Sequence, residues 1–460
     1  MELTDVKQVY FIGIGGIGMS AVARYFHLRG VHVTGYDKTE TVLTQTLERE
    51  GITIHYGEAR LDLVPPPADD LLVVWTPAIP RNFPELVRVQ EGAYQLLKRA
   101  QVLGLISQGM ECVGIAGTHG KTTTTTLTTH LMRTAGLDPS AFLGGIPRDF
   151  SGNYVHGNSE YVVVEADEYD RSFLNLHPAI AVILSADPDH LDIYGDHNNM
   201  LETGFRAYAR QVKDGGHLLV RHELRELFED IPQVMLTTFG IGAGDFRAQN
   251  VQVKDGAFHF DLREPDGHLV LDIRTTLPGR HNVENAVAAC AVTRLAGGDE
   301  ESLRVALASF RGIGRRFDTV LKTEHLVIID DYAHHPTELE AAIAAARELY
   351  PGQTIRGVFQ PHLFSRTQDF AAGFAKALDR LDEVILIPIY PAREEPIPGI
   401  TSRTIYEKMR NEQRRLLSDE QMLEATAELS DGVLLLLGAG DIDKLVPKIV
   451  HQHTKPTTHG

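Results

Sequence analysis

Cys112-Val113-Gly114-Ile115-Ala116-Gly117-Thr118-His119-Gly120-Lys121-Thr122 decides how the rest of the chain is read. A short apolar run breaks at Gly117, passes through a glycine-flanked turn and enters a helix-length segment at Lys121. A strand that runs through such a turn into a helix is part of a βαβ unit, and the sheet it implies is parallel with helices on its faces. The turn has a chemistry as well as a shape. Glycine N–H groups can cradle a polyphosphate, Lys121 can reach its β- and γ-phosphates, and the Thr122 hydroxyl can hold Mg²⁺. The early glycine of G-x-x-x-x-G-K-[ST] falls on Ile115, so the loop is a compact variant of that pattern. The candidate ATP loop comprises Gly117, Thr118, His119, Gly120, Lys121, Thr122 and Thr123. Five threonines run from Thr122 to Thr126, a poor helix composition. Thr122 is the metal candidate, and the others read mainly as packing or cap residues.

Outward from this loop the same rhythm recurs. Upstream, Val9–Ile14 reads as a strand, Ile17–Leu28 as a helix, Val31–Thr34 as a second strand and Leu71–Trp75 as a later one. Downstream, Leu326–Ile329 restarts it, followed by the helix Pro336–Leu349 and the strands Val358–Gln360, Val384–Ile389 and Val433–Leu437. Between them, Phe246–Leu271 alternates apolar and polar residues around the turns Asp255-Gly256 and Asp266-Gly267, which predicts antiparallel strands. The expected fold class is α/β with three domains. These are a Rossmann-like domain over 1–110, a central P-loop-type ATP domain over 111–313 with a parallel sheet plus a small antiparallel sheet, and a Rossmann-like C-terminal domain over 314–460. The tail His451–Gly460 is polar and is expected to be mobile.

Composition limits the function. A formal net charge of -18 opposes broad binding to nucleic acid or anionic membranes. It does not oppose a phosphorylated substrate, which backbone amides and one or two cations can hold. Cys112 and Cys290 are the only cysteines and read as small core residues, not a disulfide framework. The apolar stretch Val9–Val22 is broken by glycines and lacks signal-peptide flanks. No apolar run reaches the roughly 18 residues of a membrane span. A cytoplasmic location is expected.

Gly13-Ile14-Gly15-Gly16-Ile17-Gly18 is a second glycine loop, with Asp37 about 20 residues further on. It suits a pyrophosphate at a helix N-terminus. A nicotinamide or flavin dinucleotide and a UDP-sugar both fit, and the loop does not choose between them. Gly13, Gly15, Gly16, Ile17, Gly18, Asp37 and Thr76 are the candidates at this site.

Other polar residues crowd predicted strand ends, where ligands sit in open α/β sheets. Glu165-Ala166-Asp167-Glu168-Tyr169-Asp170 follows one apolar strand, and Glu165 is the first metal candidate. Ser185-Ala186-Asp187-Pro188-Asp189-His190 follows another, with His190 as a further metal candidate. Asn282 and Asn285 share a helical face and could read a purine edge, although a cap is also open to Asn282. Arg311, Arg315 and Arg316 form a cationic cluster at the third domain's entry. Asp330-Asp331-Tyr332-Ala333-His334-His335-Pro336 and Phe359–Thr367 each lie between a strand and a helix. Arg366 could hold a carboxylate there, and His334 could relay a proton.

Taken together, the sequence resembles the Mur ligase family. Gly117–Thr122, Glu165–Asp170, Asp187–Asp192, His281–Asn285 and Asp330–Pro336 carry the resemblance, joined by Gly13–Ser20, Phe359–Thr367 and Tyr390–Gly399. The resemblance implies that the first domain binds the UDP moiety, the second binds ATP and the third receives an amino acid. It places Lys121 on the ATP phosphates, Thr122, Glu165 and His190 at Mg²⁺, and Asn282, Asn285, Arg316 and Asp331 on the ATP side. His334 and Arg366 fall near the acceptor, and Lys121, Glu165, His190, Arg316 and His334 form the catalytic set. The implied substrates are ATP, UDP-N-acetylmuramate and L-alanine, joined through an acyl phosphate by a monomer or weak homodimer. Leu363 and Ser185 depart from the family pattern, which more often has arginine and asparagine there. Tyr169 points instead to relatives that recycle a ready-made peptide, whereas Phe359–Thr367 and Glu394–Gly399 point to the L-alanine reaction. A nicotinamide-linked dehydrogenase would leave the second loop, Glu165 and His190 without purpose. A nucleotide-gated binding protein would not need two acidic strand ends.

Overall fold

The structure, a computed structural model, describes residues 3–189, 191–392 and 394–454, apart from the side chains of residues 191 and 192. It is a three-domain α/β fold built on three sheets. Residues pack into two compact units. The first comprises Met1–Gln249, Asp261–Ile273 and Glu284–Phe310, and the second Asn250–Phe260, Arg274–Val283 and Arg311–Gly460.

The first sheet contains β1 Gln8–Ile12, β2 His32–Asp37, β3 Thr53–Tyr56, β4 Leu71–Trp75 and β5 Gln95–Lys98 in the order β3-β2-β1-β4-β5. All its pairings are parallel. Because helices cover both faces, β1 and β4 are near-continuous apolar runs, buried at almost every position. The strand order reverses between β1 and β4. Their carboxyl ends therefore open the crevice where an α/β sheet receives ligand.

The second sheet has ten strands: β6 Glu111–Ala116, β7 Ser140–Phe142, β8 Tyr154–Val155, β9 Tyr161–Glu165, β10 Ile180–Ile183, β11 His217–Arg221, β12 Met235–Ile241, β13 Phe246–Lys254, β14 Ala257–Arg263 and β15 Leu269–Thr275. Their order is β15-β14-β13-β12-β11-β10-β6-β9-β7-β8. The predicted hairpin strands do not stand apart. β13 pairs in parallel with β12 and carries them onto the same sheet. β6 lies between β9 and β10, parallel to both, with Ile115 beside Glu165 and Ala116 beside Ile183. Three loops therefore leave the sheet side by side: those after β6, β9 and β10.

The helix Lys121–Thr134 follows β6 with Thr122–Thr129 all buried. Packing overrides the weak intrinsic propensity of threonine here. The first two sheets share a core. Tyr25 of the helix Ile17–Leu28 lies 5.8 Å from the Phe142 ring and 5.9 Å from that of Tyr154. Beside it, buried Arg24 pairs with Glu50 at 2.8 Å and also donates to Asn153 Oδ1. Asn153 Nδ2 in turn donates to the Ile17 carbonyl and, at 2.9 Å, to Ser20 Oγ.

The second unit carries the third sheet: β16 Asp318–Lys322, β17 Leu326–Asp331, β18 Ile355–Phe359, β19 Glu383–Leu386, β20 Arg414–Leu416 and β21 Gly432–Leu437. The order is β16-β17-β21-β18-β19-β20, parallel except for the edge strand β16. The tail corrects one expectation. His451–Thr454 belongs to the helix Val446–Thr454, because Gln452 and His453 bond the carbonyls of Leu423 and Thr426 at 3.2 and 3.0 Å. Among the described residues no helix is long and apolar enough to cross a membrane.

Candidate active site

The site in the first unit is built on the turn after β6. Gly120 starts the helix with φ +80, a left-handed conformation that a side chain disfavours. A Cβ there would also lie 2.8 Å from Asn285 Oδ1, so the amide of Asn285 closes directly on the loop. Ser185, at the end of β10, braces the same turn. Its Oγ accepts from His119 N–H at 2.9 Å and lies 3.0 Å from Thr118 Oγ1, which accepts from Asp187 N–H at 3.1 Å. Sequence reasoning noted Ser185 only as a departure. Its hydroxyl is short enough to reach the turn from the adjacent strand.

Lys121 is half-buried, while its partner Glu168 is fully buried. Its ammonium donates to the Gly117 carbonyl at 2.7 Å and pairs with Glu168 at 2.8 Å. Burial opposes its charge, but the carboxylates of Glu168, Asp167 and Glu165 outweigh that and hold its pKa above the ordinary lysine value. Glu168 was not singled out within its acidic run, because a run of carboxylates does not show which one turns inward. Thr122 Oγ1 donates to Glu165 Oε1 at 3.1 Å, while Gly144 N–H donates to Glu165 Oε2 at 3.1 Å. A hydroxyl and a carboxylate thus converge at the mouth of the phosphate loop. That oxygen pair suits a hard cation that takes its remaining ligands from phosphate and water. His190 lies outside the described residues. Thr123 is buried in the first helical turn.

The first glycine loop lies at the β1/β4 switch point. Gly15 N–H donates to Asp37 Oδ2 at 2.7 Å, and a Cβ on Gly15 would meet that carboxylate at 2.8 Å. Asp37 therefore closes the loop. Thr76 follows β4, and its Cγ2 would lie 3.2 Å from a Cβ on Gly13. Gly16 precedes the helix opened by Ile17 and Gly18. Lys98, at the end of β5, pairs with Asp170 at 3.1 Å and lies 5.9 Å from the Trp75 ring centre.

In the second unit, Asp331 ends β17 and accepts from Phe317 N–H at 2.7 Å and Ala333 N–H at 2.8 Å. Burial pushes its carboxyl up to about 6, against the opposing charge of Arg316. Arg316 lies over the Tyr332 ring at 4.9 Å. Arg315 takes the ion pairs instead, with Asp443 at 3.3 Å and Asp330 at 3.8 Å. Burial raises Asp330 to about 7. His334 Nδ1 faces the Tyr332 carbonyl at 2.9 Å and Glu338 at 3.2 Å. Two oxygen acceptors on Nδ1 assign the proton there and leave Nε2 with its lone pair. Burial lowers the pKa of His334, and the charges of Arg366 and Arg316 lower it further against Glu338. Arg366 is buried in the first turn of the helix Phe364–Leu378. Asn282 is also buried, and its amide donates to the Pro278 carbonyl at 2.7 Å, a local bond within its own helix start.

Family models match most of this chain in three consecutive pieces. They are the Mur ligase family catalytic domain over residues 8–110, the Mur ligase middle domain over 115–293, and the Mur ligase glutamate ligase domain over 315–441. This chain belongs to the Mur ligase family. This Mur ligase is 44% identical to the UDP-N-acetylmuramate–L-alanine ligase of Flavobacterium johnsoniae over 98% of each chain. It is 46% identical to the enzyme of that name from Porphyromonas gingivalis, over 96% of this chain and 98% of that one. Among solved structures, the UDP-N-acetylmuramate-alanine ligase of Thermotoga maritima superposes with a TM-score of 0.81 at 29% identity, covering 97% of this Mur ligase and 99% of that chain.

Proposed function

We propose that this Mur ligase joins L-alanine to the carboxylate of UDP-N-acetylmuramate with conversion of ATP to ADP and phosphate, in the cytoplasmic synthesis of peptidoglycan precursors. Identity of 44–46% along nearly the whole chain to curated ligases of that name carries the reading. The UDP moiety lies at the β1/β4 switch point, with Gly13, Gly15, Gly16, Ile17, Gly18, Asp37 and Thr76. ATP lies on the loop after β6, with Asn282, Asn285, Arg316 and Asp331 completing its site. Domain limits near residues 110 and 313 separate the three binding functions, and the enzyme works as a monomer or weak homodimer.

The substrate carboxylate attacks the γ-phosphorus, forming an acyl phosphate and releasing ADP. The L-alanine amine then attacks the acyl carbon, and phosphate leaves as the amide forms. A free carboxylate is a poor electrophile, so phosphorylation supplies the leaving group. Thr122, Glu165 and His190 would hold Mg²⁺, which would supply charge neutralisation at the phosphates. Lys121 meets the phosphate oxygens with its remaining N–H, while the Gly117 carbonyl and Glu168 keep the ammonium charged and in place. Arg316 adds charge stabilisation to the transferred phosphoryl group. His334 Nε2 accepts the proton that the amine loses, and Arg366 holds the amino-acid carboxylate.

The deciding test is phosphate release from ATP and Mg²⁺ with UDP-N-acetylmuramate. Release that requires L-alanine is expected. Release only with L-Ala-γ-D-Glu-diaminopimelate would move the assignment to a peptide-recycling ligase. Substrate labelled with ¹⁸O in the carboxylate should deliver label to phosphate, and unlabelled phosphate would remove the acyl phosphate.

A further inference from the structure

The helix Phe364–Leu378 starts without a cap of its own. Leu363 occupies its N-cap position and has no side-chain oxygen to accept the free N–H groups of the first turn. Leu363 also has φ +69 and ψ 141, a strained conformation for a non-glycine residue. The missing acceptor comes from a loop far along the chain. Glu394 accepts from Ser365 N–H at 3.0 Å and from Ser365 Oγ, and the Phe364 backbone donates to it as well. Burial opposes the charge of Glu394, but these bonds outweigh it and keep the carboxylate ionised.

The segment before Glu394 is zipped to the same turn. Tyr390 N–H donates to the Pro361 carbonyl and Leu363 N–H donates to the Tyr390 carbonyl, both at 2.9 Å. The Tyr390 ring stacks on His362 at 5.7 Å between centres. Arg366 is the third residue of the capped helix, and its charge acts on His334.

We infer that Glu394 is a positioning residue for the acceptor amino acid: it caps the helix Phe364–Leu378 from outside and so fixes where Arg366 presents its guanidinium. This rests on the proposal that Arg366 holds the L-alanine carboxylate. A cap supplied by a loop, not by the residue before the helix, makes the acceptor site depend on Tyr390 and Glu394 being docked.

Steady-state kinetics of the full-length Glu394→Ala and Glu394→Gln variants test it, with Arg366→Ala in parallel. Glu394→Ala should raise KM for L-alanine about tenfold while KM for ATP and for UDP-N-acetylmuramate stays within about twofold. Glu394→Gln keeps one oxygen acceptor and should give a smaller rise, and it carries the test alone if the alanine variant does not fold. Unchanged KM for L-alanine in both variants would overturn the inference. So would a fall in kcat with all three KM values intact, which marks a smaller folded fraction. Arg366→Ala separates the two layers. If it raises KM for L-alanine and the Glu394 variants do not, the positioning role alone is wrong. If it too leaves that KM unchanged, the acceptor reading fails with it.

Discussion

Lys121 and Glu168 bury opposite charges together, and each is costly without the other. If Lys121 meets the phosphates as proposed, Lys121→Met should lower phosphate release by about 10³-fold or more. It should also destabilise the fold by about 3–5 kcal/mol, because the buried Glu168 carboxyl loses the ammonium that balances it. Adding Glu168→Gln should restore most of the stability and none of the activity, which separates the two roles in paired denaturation and turnover measurements. Asp330 gives a prediction in pH. Its folded pKa of about 7 lies above the ordinary aspartate value, so the folded state binds the extra proton between about pH 4 and pH 7. Stability from this group is present at the acid end and is lost as pH rises through 7. Asp330→Asn should therefore gain thermal midpoint relative to the parent as pH rises from 4 to 8. A difference that stays flat with pH would remove the buried carboxyl as the cause.

At the scale of elements, the strand–loop–helix start at Cys112–Thr122 and the helices Ile17–Leu28 and Pro336–Leu349 were legible because glycine breaks and apolar periodicity mark them directly. The neighbours of those elements were not legible. Nothing local in Ser185 or Glu168 says that their strands flank β6, and only the parallel register delivers both to one loop. The tail helix was missed for a related reason, as its bonds go to Leu423 and Thr426 and its own composition is polar. The threonine-rich helix after Gly120 shows packing overruling propensity. The hydroxyls of Thr124, Thr125 and Thr126 are buried without a partner among the described residues. Thr126→Val keeps the shape and removes one such hydroxyl, so it should stabilise the protein by about 1 kcal/mol with turnover unchanged. A lower denaturation midpoint would mean that the hydroxyl is satisfied in solution.

At the scale of the molecule, the first two sheets behave as one packed body, since Tyr25, Phe142 and Tyr154 share a core and Arg24 joins Glu50 to Asn153. Asn153 belongs to the stretch after β7, yet it bonds the Ile17 carbonyl and Ser20 in the first turn of the helix that follows the first glycine loop. Asn153→Ala should therefore raise KM for the UDP-sugar by about tenfold with KM for ATP little changed. A rise in KM for ATP alone would contradict the link.

Trp75, the chain's single tryptophan, closes β4 at the first glycine loop's crevice, with the Lys98 ammonium near its ring. All indole emission from this enzyme thus originates at one point, the carboxyl end of β4 beside the first glycine loop. If a pyrophosphate enters that crevice as proposed, it should draw on the Lys98 ammonium and change the emission of this lone fluorophore. Titration with the proposed UDP-sugar, with no ATP present, should then give a signal without a label and without turnover.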